Sequence, residues 1–254
     1  MKNKNIWLNL LSVLSVVLLI LAWCAVSMNP DGMIPTPFAV WERFLLLLDK
    51  PISGANIGIH IVDSLRRVFM GWLAATLVGV LFGLMLGWNR TFSAVCKPVF
   101  EMIRPIPAIA WIPLITIWLG VGETSKIVIV FIGAVMPIVV NTYTGVSMVP
   151  ELNINVGKIF GANSRQMFLK IVLPSSLPAI FAGLKTAVGV AWTVVLAAEM
   201  ISAKTGLGYI VNLGSNSADI ALVVIGIIVI AVIGALLSAV LTRVERWLCP
   251  WKEE

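Results

Sequence analysis

VPELNINVGKIFGANSRQMFLKIVLPSSL, residues 149–177, is a long polar interruption between two apolar runs. Within it, Gly161 is followed by nine residues and then by Ile171-Val172-Leu173-Pro174. Ala162-Asn163-Ser164 offers a turn and a helix cap, because short polar side chains accept hydrogen bonds from the free N–H groups of a helix start. Arg165 to Val172 then has room for about two helical turns. Met167 or Phe168, with Ile171, would supply an apolar face, and Arg165, Gln166 and Lys170 a polar one. Leu173-Pro174 is expected to end this helix, and Pro178 to open the next apolar run. A short amphipathic helix of this kind suits docking in the groove of a partner. It equally suits resting on a membrane surface.

The rest of the chain supplies the membrane. Of 254 residues, 59% are hydrophobic and 12% charged, about half the charge of a soluble domain. A bilayer crossing needs ~20 predominantly apolar residues. Such stretches lie at about 6–28, 68–89, 99–120, 127–148, 177–201 and 220–243. The expected fold is all-α: a polytopic membrane protein with six transmembrane helices in one domain over 1–254, and a loop at 149–177. Lys2 and Lys4 precede the first run, and Leu21-Ala22-Trp23-Cys24 near its end faintly resembles a lipoprotein cleavage site. Trp23 is too large for the small residue wanted before that cysteine, so the run reads as a retained span.

Basic residues orient the chain. With the N-terminus in the cytosol, inside segments hold ten: Lys2, Lys4, Arg90, Lys97, Lys158, Arg165, Lys170, Arg243, Arg246 and Lys252. Outside segments hold six: Arg43, Lys50, Arg66, Arg67, Lys126 and Lys204. Both termini and the 149–177 loop are therefore expected in the cytosol. The net charge of +6 is scattered without a basic stripe, which argues against nucleic-acid binding. Cys24, Cys96 and Cys249 are far apart and odd in number, and the single histidine, His60, builds no metal site alone. His60 reads as a polar residue near a membrane surface.

Local patterns add detail. Thr36-Pro37 reads as an N-cap followed by proline at the first helical position. Phe38, Trp41, Phe44, Leu45 and Leu48 then share a face, as in an interfacial helix or a short packing helix. Gly71, Ala75, Gly79, Gly83 and Gly87 form a small-residue ridge that admits another helix backbone. Arg104-Pro105-Ile106-Pro107 marks either a bend beside the solute path or a break before the span begins. Glu101 and Arg104 are spaced to pair on a helix, and Lys185 is expected to reach back to the cytosolic surface. Glu199 falls roughly 30 Å from Pro178 along a helix, near the outer end of its span. It would border the path, sit at the interface, or partner a neighbouring helix.

Several stretches resemble bacterial ABC importer permeases of the nitrate, sulfonate, taurine and bicarbonate group. They are Ser64-Leu65-Arg66-Arg67-Val68, Arg104 to Pro107, Trp118 to Lys126, Gly161 to Leu184, Ala197-Ala198-Glu199-Met200-Ile201 and Gly206-Leu207-Gly208-Tyr209. The resemblance covers nearly the whole chain, most closely to aliphatic sulfonate or taurine permeases. It implies a type I ABC importer permease fold, with the 149–177 loop as a coupling element. Gly161, Ala162, Arg165, Phe168, Ile171, Leu173 and Pro174 are then the residues expected to couple to the ATPase. Arg104, Pro105, Pro107 and Glu199 become candidates for the path or gate. One departure stands out: the family's E-A-A positions are Asn155, Val156 and Gly157 here, and Glu151 lies four residues too early.

The resemblance further implies a complex in the inner membrane: two ATPase subunits, a second permease copy (expected to be identical) and an external solute-binding protein. The chain has no G-x-x-x-x-G-K-[ST] loop, so ATP and Mg would bind the partner ATPase and no cofactor would bind here. The expected role is a non-enzymatic one, passing a sulfonate or taurine, or else nitrate, bicarbonate or a thiamine precursor. A membrane enzyme would cluster catalytic groups at one depth. A secondary transporter or channel would show inverted repeats or polar rows, and neither pattern is found.

Overall fold

The computed structural model describes residues 2–28 and 34–249; Lys252 lies outside them. The regular elements there are helices: α1 Lys2–Ser27, α2 Pro37–Asp49, α3 Ile57–Trp88, α4 Arg90–Ile103, α5 Ile112–Leu119, α6 Glu123–Ser147, α7 Glu151–Ile159, α8 Ser164–Met167, α9 Leu173–Ser202, α10 Leu207–Asn216 and α11 Ile220–Leu248.

The packing of α3 on α6 sets the frame. A β-carbon at Gly71 would stand 2.6 Å from Val130 Cγ1, at Gly79 2.9 Å from Ile138 Cγ2, at Gly83 2.7 Å from Thr142 Cβ, and at Gly87 2.6 Å from Val146 Cβ. Ala75, between them, is fully buried. The small-residue ridge thus lies against α6 within one chain, and its glycines bring the two backbones together. Partners advance in step along both helices, so α3 and α6 run parallel. The segment between them must therefore carry the chain back to the Ile57 end of the bundle.

That returning segment, expected as one span over 99–120, is not a single helix. α4 and the Ala108–Leu119 stretch meet at 84°. Pro105 and Pro107 carry no N–H, so neither can extend the α4 ladder. The Ile103 carbonyl instead accepts from Ile106 N–H in a tight turn, 3.0 Å. α5 has 8 residues, about 12 Å of rise, well short of a ~30 Å hydrocarbon core. Among the described residues, four helices are long and apolar enough to cross alone, namely α3, α6, Ser164–Ser202 and α11, or up to five crossings with the bent pair. α1 is a 26-residue helix whose described apolar part is Leu14–Ser27.

α9 runs antiparallel to α6, with Gly183 against Asn141 and Gly145 against Ala179. α11 runs antiparallel to α9 and is tied to it by Lys185 and Glu245. Lys185 was expected to reach the surface. The structure pairs it with Glu245, which is 4% exposed, and leaves 26% of the lysine side chain exposed. α2 keeps its expected cap, with Ala39 N–H donating to Thr36 Oγ1 at 3.2 Å. Its apolar residues divide: Val40 and Leu47 are buried and Phe44 packs beside them, while Phe38, Trp41, Leu45 and Leu48 stay exposed.

Candidate functional site

The Trp88 end of the bundle carries the 149–177 segment. α7 closes with a left-handed glycine, Gly161, at φ +70°. Gly161 N–H donates to Lys158 O and Ala162 N–H to Gly157 O, both at 3.0 Å. This paired pattern stops a helix and turns the chain. Asn163 then caps α8: Gln166 N–H donates to Asn163 Oδ1 at 2.8 Å, and Asn163 N–H to Gln166 Oε1 at 3.0 Å. Two reciprocal caps back to back give a stiff corner.

The helix does not end at Leu173-Pro174. α8 and α9 join through a wide π turn, Phe168–Val172. Leu173 N–H there reaches Phe168 O, one residue beyond the usual α partner. The wider turn lets the chain pass Pro174, whose ring blocks the ordinary ladder, and Ser164–Ser202 forms one helix of 39 residues.

The apolar side chains of this corner face differently from the sequence expectation. Met167 is buried under Gly157, where a β-carbon would lie 2.9 Å from Met167 Sδ and 2.6 Å from Ile171 Cδ1. Phe168 turns inward against Trp88, with ring centroids 5.4 Å apart, and packs beside Val146, Val149 and Val172. Leu173 packs against the main core. Ile171 and Pro174 line a groove shared with Leu152 and Val156. The most exposed apolar groups are Ile159 and Phe160, at 81% and 85%, followed by Leu152 at 72%, and Arg165 is exposed as well. Phe168 is half-buried, and Ile159 and Phe160, which sequence reasoning passed over, are the more exposed apolar side chains. At the last of the three E-A-A positions, Gly157 lets the tips of Met167 and Ile171 pack directly on the α7 backbone.

At the opposite, Ile57 end, four distant sequence stretches meet. Arg67 (1% exposed) donates from Nη1 to Glu199 Oε1 at 2.7 Å and from Nη2 to Glu123 Oε1 at 2.7 Å. Its Nε donates to Glu123 Oε2 at 2.8 Å, and Nη1 also reaches Thr205 O at 2.8 Å. Lys126 and Arg66 complete the shell of Glu123, each at 3.0 Å. Ser64 Oγ–H donates to the Glu199 carboxylate at 2.8 Å. Each buried charge is paired and hydrogen-bonded, as burial demands. His60, expected near a surface, is fully buried and stacks on Tyr209.

Comparisons with known proteins fit this architecture. A family profile described as "binding-protein-dependent transport system inner membrane component" matches residues 75–251. The taurine transport system permease protein TauC of Escherichia coli is 33% identical over 248 residues, covering 96% of this chain and 90% of TauC. The chain belongs to the ABC importer permeases. The permease is also 34% identical over 235 residues to a putative ABC transporter permease of Methanocaldococcus jannaschii, covering 84% of this chain and 88% of that one. It is 30% identical over 245 residues to the nitrate import permease NrtB of Synechocystis, covering 94% and 89%. A chain of the inward-facing MetNI methionine ABC transporter shares the fold, with TM-score 0.65 and 18% identity over 82% of this permease and 98% of that chain.

Family membership makes the permease the membrane-embedded, non-catalytic part of its transporter. Its remaining candidate residues fall in two places. Arg104 is exposed and pairs with Glu101 at 3.3 Å. Pro105 and Pro107 sit in the 84° bend, and the bend delivers Ala108 to Gly133 of α6, next to Val190 of α9. The bend thus abuts two of the long helices. Glu199 is 1% exposed and is held by Ser64 and Arg67 of α3 and by Gly208 of α10.

Proposed function

We propose that this permease is the membrane subunit of an ATP-driven importer that passes a small anionic or zwitterionic solute into the cytosol, a sulfonate such as taurine first and nitrate second. The near full-length similarity to TauC carries this reading; similarity to NrtB at 30% keeps nitrate as the alternative. In this reading α1 and the bent α4–α5 pair complete six crossings, and both ends of the chain lie in the cytosol of a cell with this protein in its inner membrane. Two copies form the pathway, two ATPase subunits bind below, and an external binding protein delivers the solute. ATP and Mg bind the ATPases.

The α7–α8 corner is the coupling element. Ile159, Phe160 and Arg165 meet the ATPase, and the groove bordered by Leu152, Val156 and Ile171 receives one of its side chains. A helix face presenting apolar anchors with a cation beside them is a standard way to dock in a groove. Gly161, Ala162 and Pro174 set the corner's shape. Arg104, Pro105 and Pro107 bend the third crossing beside the path.

The test is reconstitution in liposomes with the ATPase and the binding protein. ATP-dependent uptake of taurine is the expected result. Uptake of nitrate but not taurine would move the substrate, and accumulation by this chain without ATP would sink the importer reading.

A further inference from the structure

Three successive backbone N–H groups open α10, and each is taken by a buried side chain from another element. Gly206 N–H donates to His60 Nδ1 at 3.0 Å, Leu207 N–H to Ser64 Oγ at 2.8 Å, and Gly208 N–H to Glu199 Oε2 at 2.9 Å. His60, Ser64 and Glu199 are each 1% exposed or less. The free N–H groups of a helix start normally go to water or to a local cap. Here they go to α3 and α9, and the Glu199 charge also meets the positive end of α10.

The glycines are fitted to this contact. Gly206 holds φ +124°, and a β-carbon there would overlap the Glu199 carboxylate. At Gly208 it would stand 2.5 Å from Leu196 O. Further along α10, Tyr209 bonds Ser53 at 2.6 Å and Asn212 Nδ2 donates to Met200 O at 2.5 Å. Arg67 locks the arrangement, since it binds Glu199, Glu123 and the Thr205 carbonyl at once.

We propose that Arg67 and Glu199 are positioning residues that pin α10 to α3, α6 and α9, so that α10 stays fixed to its protomer throughout transport and takes no part in opening the path. The proposal rests on the importer reading above. Lifting α10 would strip three buried acceptors together and leave Thr205 and Gly208 without their partners. Opening of the outer side must then come from movement between protomers or of less anchored segments, with the Glu199 end of each protomer travelling as one body.

Hydrogen exchange on the full transporter in lipid nanodiscs tests this, comparing ATP-free and vanadate-trapped states. The amides of residues 206–209 should be equally protected in both, while those of the α7–α8 corner change. In Glu199→Ala the 206–209 amides should exchange at least about tenfold faster. Glu199→Gln keeps an acceptor for Gly208 and should retain most of that protection, with the KM for external solute unchanged. Deprotection of 206–209 in either wild-type state would overturn the proposal while leaving the importer reading intact. Unchanged protection at the α7–α8 corner as well would overturn both. If Glu199→Ala does not fold, the wild-type comparison decides alone.

Discussion

Placing an aspartate at Phe160 should separate this permease from its ATPase without unfolding it. Phe160 is 85% exposed in the isolated chain, and Ile159 is 81% exposed, so nearly the whole of each side chain is available to a partner. Full burial of one such side chain is worth about 1.5–3 kcal/mol. At ~1.4 kcal/mol per tenfold, losing it weakens binding by roughly tenfold to a hundredfold per copy. A buried, unpaired carboxylate pushes toward the upper end of that range. The internal contacts that hold the corner lie elsewhere, in the caps at Gly161 and Asn163 and in Met167 beneath Gly157. Phe160→Asp should therefore insert and melt like the wild type, yet retain less ATPase on a tagged column and lose ATP-driven uptake. Phe168→Ala should do the reverse. It opens a gap beside Trp88, lowers thermal stability by about 1–3 kcal/mol for a half-buried ring, and spares ATPase affinity in the fraction that folds. Undiminished ATPase retention by Phe160→Asp, with loss in Phe168→Ala at normal stability, would refute this account of the corner.

Other substitutions report on the frame. Gly83→Ala brings a β-carbon within 2.7 Å of Thr142 Cβ and 2.9 Å of Val139 O; overpacking of this kind costs about 1–3 kcal/mol, visible as a lower melting temperature in detergent. Gly161→Ala meets no atom within 4 Å, so its penalty of about 1–2 kcal/mol comes from the left-handed backbone alone, and Gly161→Asn should recover part of it. Lys185→Met takes the cation from Glu245, and breaking a buried pair costs about 3–5 kcal/mol. The double variant Lys185→Met/Glu245→Met should melt closer to the wild type than Lys185→Met does.

Much of the frame was legible in the sequence because its signals are local. Charge-free runs mark α3, α6 and α11, an apolar run broken only by Lys185 and Glu199 marks α9, the four-residue spacing of Gly71 to Gly87 marks a packed face, and Thr36 and Asn163 mark helix starts. Three features escaped for physical reasons. The break at Pro105 and Pro107 was visible, but its angle depends on how α5 packs against α6. The inward turn of Phe168 depends on the π turn before Pro174, which shifts the helix face by part of a turn. The cluster of His60, Ser64, Arg67, Glu123 and Glu199 assembles distant residues, Ser64 and Glu199 being 135 positions apart, and a charge near the end of a span carries no local sign of its partner. Four of the motifs that carried the family resemblance, SLRR, GETSK, AAEM and GLGY, meet in this one cluster.

The unbroken helix from Ser164 to Ser202 has a mechanical consequence. At 39 residues and ~1.5 Å per residue it is a rod of about 58 Å, with the α7–α8 corner proposed for coupling at one tip and the Glu199 anchorage near the other. A rod of that length tilted by ~5° about one tip displaces the other by ~5 Å, roughly one helical turn. A small swing imposed at the corner is therefore amplified by leverage alone, and the protein needs no chain of rearranging side chains to carry it across the membrane.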